Sequence, residues 1–159
     1  MIEPELSYVY IIAELDFDDD SKHTGFYKIG KAKNPFYRLA QLQTANARGL
    51  QLVHTIQCSK RKWDWDSPTD PNTGMNPVIE EYVGNREMQI QDLFDDYRCT
   101  PDRRLKQNHI EDADDTRTYG GNEWYDFRKI GIDKVIDMID DKFPPYLGVV
   151  EKQLKLEFY

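Results

Sequence analysis

Four kinds of side chain set far apart along this chain could act on one phosphodiester. They are the phenols of Tyr10 and Tyr27, the amine of Lys28, the guanidinium of Arg38 and the carboxylate of Glu87. An arginine can hold and neutralise a phosphate, and a carboxylate can hold a divalent metal. A phenol or amine can manage the proton of an attacking water. Other chemistries lack their patterns. GKAKNP at 30–35 has no Gly-x-x-x-x-Gly-Lys-Ser/Thr spacing, and no Gly-x-Ser-x-Gly elbow, His-Glu-x-x-His pair or Gly-x-Gly-x-x-Gly turn occurs. Cys58 and Cys99 form no ligand spacing and are too few for a disulfide framework.

Charge points to the same stretch. Residues 22–62 hold nine basic residues and no Asp or Glu, which leaves −17 for the rest of a chain whose net charge is −8. The average opposes a nucleic-acid partner, since phosphate contacts need Lys and Arg to displace counterions. The asymmetry instead marks a local polyanion site on a surface whose overall field keeps the protein soluble. No apolar run approaches the roughly 20 residues of a membrane helix, and MIEPELS lacks a signal-peptide plan, so a cytoplasmic protein with no membrane partner is expected.

The elements that must position these groups follow from local patterns. Ser7–Ala13 alternates, with Tyr8, Tyr10 and Ile12 on one face, and Phe26–Gly30 reads as its hairpin partner across an acidic loop. Asn34 sits where a helix cap belongs and Pro35 at the first helical position. The helix they open is expected to turn Phe36, Leu39, Ala40 and Gln43 inward. Leu50–Cys58 reads as a third strand with Leu50, Leu52, His54, Ile56 and Cys58 on one face. Residues 59–77 have no period and read as a loop or insertion, which Trp63 and Trp65 are expected to pack onto the domain.

Asn76-Pro77 repeats the cap-then-proline signal and predicts a helix over Val78–Arg98 with Ile79, Tyr82, Val83, Ile90, Leu93, Phe94 and Tyr97 as its apolar stripe. Glu87 lies on that stripe, where a carboxylate must be paired, protonated, metal-bound or at a cleft edge. Alternatively Gly84 interrupts the helix and Asn85 caps a new one, with Glu87 in its first turn. EWYDF at 123–127 reads as a short strand, and a last helix follows through Ile132, Val135, Ile136, Ile139 and Phe143 until Pro144-Pro145.

Taken together, YVYI, YKIGKAKNPFYR, E-x-x-I-x-x-x-F and GNEWYDF resemble the GIY-YIG nuclease superfamily, most of all its phage-associated branch whose second motif reads Tyr-Lys-Ile-Gly. The resemblance covers residues 8 to about 128. It implies an α+β fold, a small three-stranded antiparallel sheet flanked by helices, in one domain over 1–159 with an insertion at about 59–77 and a C-terminal helical extension at about 129–159. It also implies Mg²⁺- or Mn²⁺-dependent cleavage of DNA, duplex or branched, in a phage or phage-infected cell.

By that resemblance Tyr10 is the first motif tyrosine, Arg38 the phosphate-holding arginine and Glu87 the metal ligand. Lys28 takes the usual second tyrosine position, with Tyr27 beside it on the opposite face; Lys28 is favoured because an ammonium beside a phenol eases its use as a base. Four residues after the glutamate this chain has Gln91 where the branch often has histidine, and the late polar residue is Asn122 or Glu123. Lys31, Lys33, Arg48, Arg103 and Arg104 are expected to track the nucleic-acid backbone. With no separate DNA-reading domain, strong specificity has to come from the insertion, the Arg103-Arg104 loop, a homodimer or a partner subunit. The competing readings are an adaptor of this fold with restrained cleavage, and an acidic interaction protein.

Overall fold

The two β-rich runs flanking the acidic loop pair as an antiparallel hairpin, β1 (Leu6–Leu15) with β2 (His23–Ala32). The computed structural model describes residues 5–45, 48–99 and 124–147. β1 is buried on both faces, with Val9, Ile11 and Ala13 on one side and Tyr10 and Ile12 on the other. It is therefore a central strand. β3 (Leu50–Ser59) takes its other edge, and the order β3-β1-β2-β5-β4 is completed by β4 (Arg98–Cys99) and β5 (Trp124–Asp126), antiparallel throughout.

The α+β class holds, but the sheet has five strands rather than three. Of the additional strands, β5 falls within the short strand read at 123–127, whereas β4 is two residues long, too short to carry a period that separates strand from loop. Helix α1 (Pro35–Ala45) covers one face, while α2 (Val83–Leu93) and α3 (Ile132–Lys142) cover the other. On the α2/α3 face, Val9, Ile11, Ile29, Val83, Ile90, Phe94, Phe127, Val135 and Ile139 form the larger core cluster. Tyr10, Ile12, Phe26, Leu42, Leu50, Cys99 and Trp124 form the smaller one under α1.

Three sequence expectations are corrected. The helix expected over Val78–Arg98 begins only at Val83, because the preceding backbone is spent elsewhere: Val78 bridges Trp63, Tyr82 bridges Ser59, and the Ile79 amide donates to the Lys62 carbonyl. Asn76 does not cap it but donates its side-chain amide to the Ser67 carbonyl. Beyond Leu93 the chain tightens into a 3₁₀ turn (Asp95–Tyr97) and then β4. Glu87 consequently lies past the first turn, and Asn85 is no cap.

β3 does not keep one face throughout. Ile11 pairs with His54 but Ile12 with Leu52, a bulge of one extra residue that reverses the alternation. Leu50 and Leu52 thus pack under α1, whereas Ile56 and Cys58 join the opposite core. His54 goes with the latter and meets Asp140 of α3, Nε2 to Oδ1 at 2.8 Å. On α1 the inward stripe is Pro35, Leu39 and Leu42, so Phe36 and Ala40 are exposed rather than buried. The cap itself is as expected: Asn34 Oδ1 accepts from the Tyr37 amide at 3.1 Å, and its carbonyl accepts from the Arg38 amide.

Candidate functional site

Tyr10 and Gly30 are direct cross-strand partners, and the phenol of Tyr10 lies across the glycine. A Cβ at position 30 would fall against the hydroxyl and Cζ of that ring, so only glycine admits the phenol there. Lys28, opposite Ile12 on β1 and Trp124 on β5, shares this face. Tyr10 and Lys28 are each 1% exposed. Tyr27 lies on the other face, where its hydroxyl meets His23 Nδ1 at 2.9 Å and its ring packs on Phe127. Burial, with a smaller push from the Asp133 charge, raises the Tyr27 phenol above its ordinary range.

Arg38 is exposed on α1, and helical geometry fixes its flank. Gln43 bonds both the Arg48 carbonyl and the Leu50 amide, which turns its side of the helix toward the start of β3. Phe36 shares that side and borders a cleft with Tyr8 and Thr55. Arg38, about 200° further round than Phe36, falls on the opposite flank, toward β2.

Glu87 approaches from the other layer. Gln91 of α2 donates its side-chain amide to the Ile29 carbonyl of β2 at 3.1 Å, pinning one side of the helix beside Gly30. Glu87 stands one turn earlier on that side, and it is half-buried. α2 starts beside Ser59, at the end of the sheet where β2 finishes, so Glu87 lies toward the Lys31–Ala32 end of β2. Lys31, opposite Val9, emerges on the α2 side of the sheet and is exposed.

Tyr10 and Lys28 thus share the α1 face of the sheet with Arg38, whereas Glu87 stands on the opposite, α2 face, toward the Ile29–Ala32 end of β2. Tyr27 is not brought onto the Tyr10 face. Lys33 is exposed at the mouth of α1, whereas Arg48 turns to Glu14, Nε to Oε1 at 4.0 Å, and lies over the Phe17 ring. Arg103, Arg104, Asn122 and Glu123 lie outside the described residues.

Two contributors escape a reading from sequence. Glu14 is fully buried on the Tyr10 face, opposite Leu50, and accepts from the Thr24 hydroxyl at 3.2 Å. The alternation of β1 carried two residues past Ile12 places it there. Gln91 serves as an anchor for α2, which its place one turn after Glu87 does not reveal without coordinates.

Among the described residues no three His, Cys, Asp or Glu side chains cluster as a protein-only metal cage would. A single carboxylate fits Mg²⁺, which keeps several waters and completes its shell with substrate phosphate.

The chain matches a family of phage-associated, nuclease-related domains, and its hairpin runs through Lys-Ile-Gly into a helix bearing an arginine, with a second helix bearing a carboxylate. The family is the T5orf172 domain: its model matches residues 7–140, and the chain belongs to it. No curated protein and no solved structure matches the chain.

Proposed function

We propose that the protein is a metal-dependent endonuclease of the GIY-YIG type that hydrolyses DNA phosphodiester bonds in a phage or mobile-element setting. One observation carries the reading. Three separate elements approach the Ile29–Ala32 end of β2, β1 through Tyr10 and α1 through Arg38 from one face of the sheet and α2 through Glu87 from the other.

In this mechanism Glu87 would hold Mg²⁺ or Mn²⁺, which would supply Lewis-acid stabilisation of charge on the phosphate. Arg38 clamps the scissile phosphate from the solvent side of α1 by charge-assisted hydrogen bonds. Tyr10, its phenol held over Gly30, accepts a proton from the attacking water, with the Lys28 ammonium on the same face favouring the phenolate. Lys31 and Lys33 track the flanking backbone, and their contacts fix register rather than sequence.

A second reading has its own support. Tyr10 and Lys28 are almost wholly shielded from solvent, which restrains chemistry there and suits an adaptor that binds nucleic acid without cutting it.

Supercoiled plasmid and branched or single-stranded oligonucleotides incubated with Mg²⁺ or Mn²⁺ test both. Metal-dependent nicking that Glu87→Ala and Arg38→Ala each abolish supports the nuclease. Binding without nicking supports the adaptor, and neither activity returns the protein to the class of acidic interaction proteins.

A further inference from the structure

On the α1 face, across the helix from Arg38, a cleft of about 670 Å³ is bordered by Tyr8, Lys33, Phe36, Tyr37 and Thr55. Phe36 and Tyr37 are 74% and 65% exposed, although the helix has inward positions that a rearranged sequence could have given them. Single exposed apolar residues need no explanation. Two adjacent aromatics at the mouth of one cleft do, and their surroundings are specific. Lys33 lines the same cleft, and among the described residues no carboxylate does.

Flat aromatic faces next to cations, inside an acid-free stretch of an acidic protein, select a partner that is both flat and anionic. A nucleotide has both properties. In a duplex, however, each base face is covered by its neighbours and cannot be offered to a side chain. We propose that this cleft is a subsite for an unpaired nucleobase of a single-stranded segment, stacked on Phe36 and Tyr37 with its phosphate on Lys33.

The subsite rests on the nucleic-acid reading above and deepens it. α1 is about 10 Å across with its side chains, so the base would belong to the strand held at the Gly30 rim, within a nucleotide or two of it. The preferred substrate is then one with unpaired bases beside the cut, such as a flap, bubble or single strand, rather than continuous duplex.

The test is binding of the full chain in EDTA, which separates the subsite from cleavage. Matched DNA and RNA oligonucleotides carry 2-aminopurine either unpaired in a flap or paired in a duplex. The expected result is quenching of the unpaired probe only. Phe36→Ala should relieve it and weaken flap binding about tenfold, with duplex binding unchanged. Lys33→Ala should lower the salt slope of binding by about one. The DNA and RNA arms show which backbone the cleft takes.

Equal affinity for flap and duplex, or flap binding untouched by Phe36→Ala in a protein with native circular dichroism, would overturn the subsite. If nicking occurs all the same, the nuclease reading survives that loss. Conversely, Phe36-dependent quenching in a protein that cuts nothing keeps the subsite and removes the nuclease.

Discussion

On the α2/α3 side of the sheet, Ile90, Phe94, Phe127, Val135 and Ile139 interlock with the apolar residues of β1 and β2, and Phe94 meets Phe127 edge-on at 5.3 Å. On the α1 side the same two strands bury Tyr10, Lys28 and Glu14 beneath a shorter apolar stripe, and the helix above leaves two aromatics in solvent. Burying a lysine and a glutamate contributes less to stability than apolar side chains of similar volume would. The contrast sets an apolar, stabilising face against one that keeps costly polar groups in position; under the proposed mechanism α2 serves both, since it also carries Glu87.

The sharpest way to break that contrast is to remove chemistry while leaving the fold. Under the proposed mechanism Tyr10→Phe should lower cleavage by about 10²–10⁴, the range for a lost general base, with a stability loss of about 1 kcal/mol. Arg38→Ala and Glu87→Gln should lower cleavage at least about a hundredfold. Because Arg38 is exposed, its replacement should leave stability within about 0.5 kcal/mol, measured by urea denaturation. A nicking rate unchanged in Tyr10→Phe would move the chemistry off this face.

The converse substitution sits on the other face. Ile90 is fully buried against the larger core, and Ile90→Ala should cost about 2–5 kcal/mol of unfolding free energy. Cleavage per folded molecule should stay near wild type in single-turnover assays at low temperature. A large loss in that rate would mean that α2 packing tunes the site through Glu87, and the division of labour between the faces would fail.

Cys58 offers a pH test of the stabilising face. Burial raises its thiol from 9.0 to about 11, partly offset by a backbone hydrogen bond. The unfolded chain releases this proton first, so the contribution is complete below pH 9 and is lost as pH rises through 11. The decline should reach at most about 2–3 kcal/mol. Denaturant titrations of wild type and Cys58→Ala at pH 8 and pH 10.5 measure it, and the variant should show the shallower fall.

Much of the fold was legible because period and punctuation agree. The alternation in SYVYIIA, the pairing of Phe26–Gly30 with it and the Asn34-Pro35 cap each have one physical outcome, and each is observed. What failed depended on distant partners. The bulge in β3 is visible only in its pairing with Ile11 and Ile12, and the late start of α2 depends on Trp63 and Ser59 claiming Val78 and Tyr82. Phe36 lies outside because the inward stripe of α1 runs through Pro35, Leu39 and Leu42, a phase about one residue away from the expected Phe36, Leu39, Ala40 and Gln43. Of the candidate site, residue types and strand faces could be read ahead of the structure. The Gln91 anchor at Ile29 could not, since a side chain's reach across layers leaves no mark in spacing.

The smallest expected effect separates the two residues that compete for one motif position. Tyr27 and Lys28 are neighbours on β2 facing opposite cores, so Lys28→Met should depress cleavage while Tyr27→Phe leaves it intact. The latter removes a hydrogen bond to His23 Nδ1, worth about 0.5–1 kcal/mol where solvent can take over the freed nitrogen. It should also flatten the stability curve above pH 10. The raised Tyr27 phenol ionises later in the folded protein than in the unfolded chain, so wild type loses that contribution as pH climbs through the folded value. Loss of nicking in Tyr27→Phe with Lys28→Met fully active would exchange the roles of the two residues, and with them the face that handles the proton.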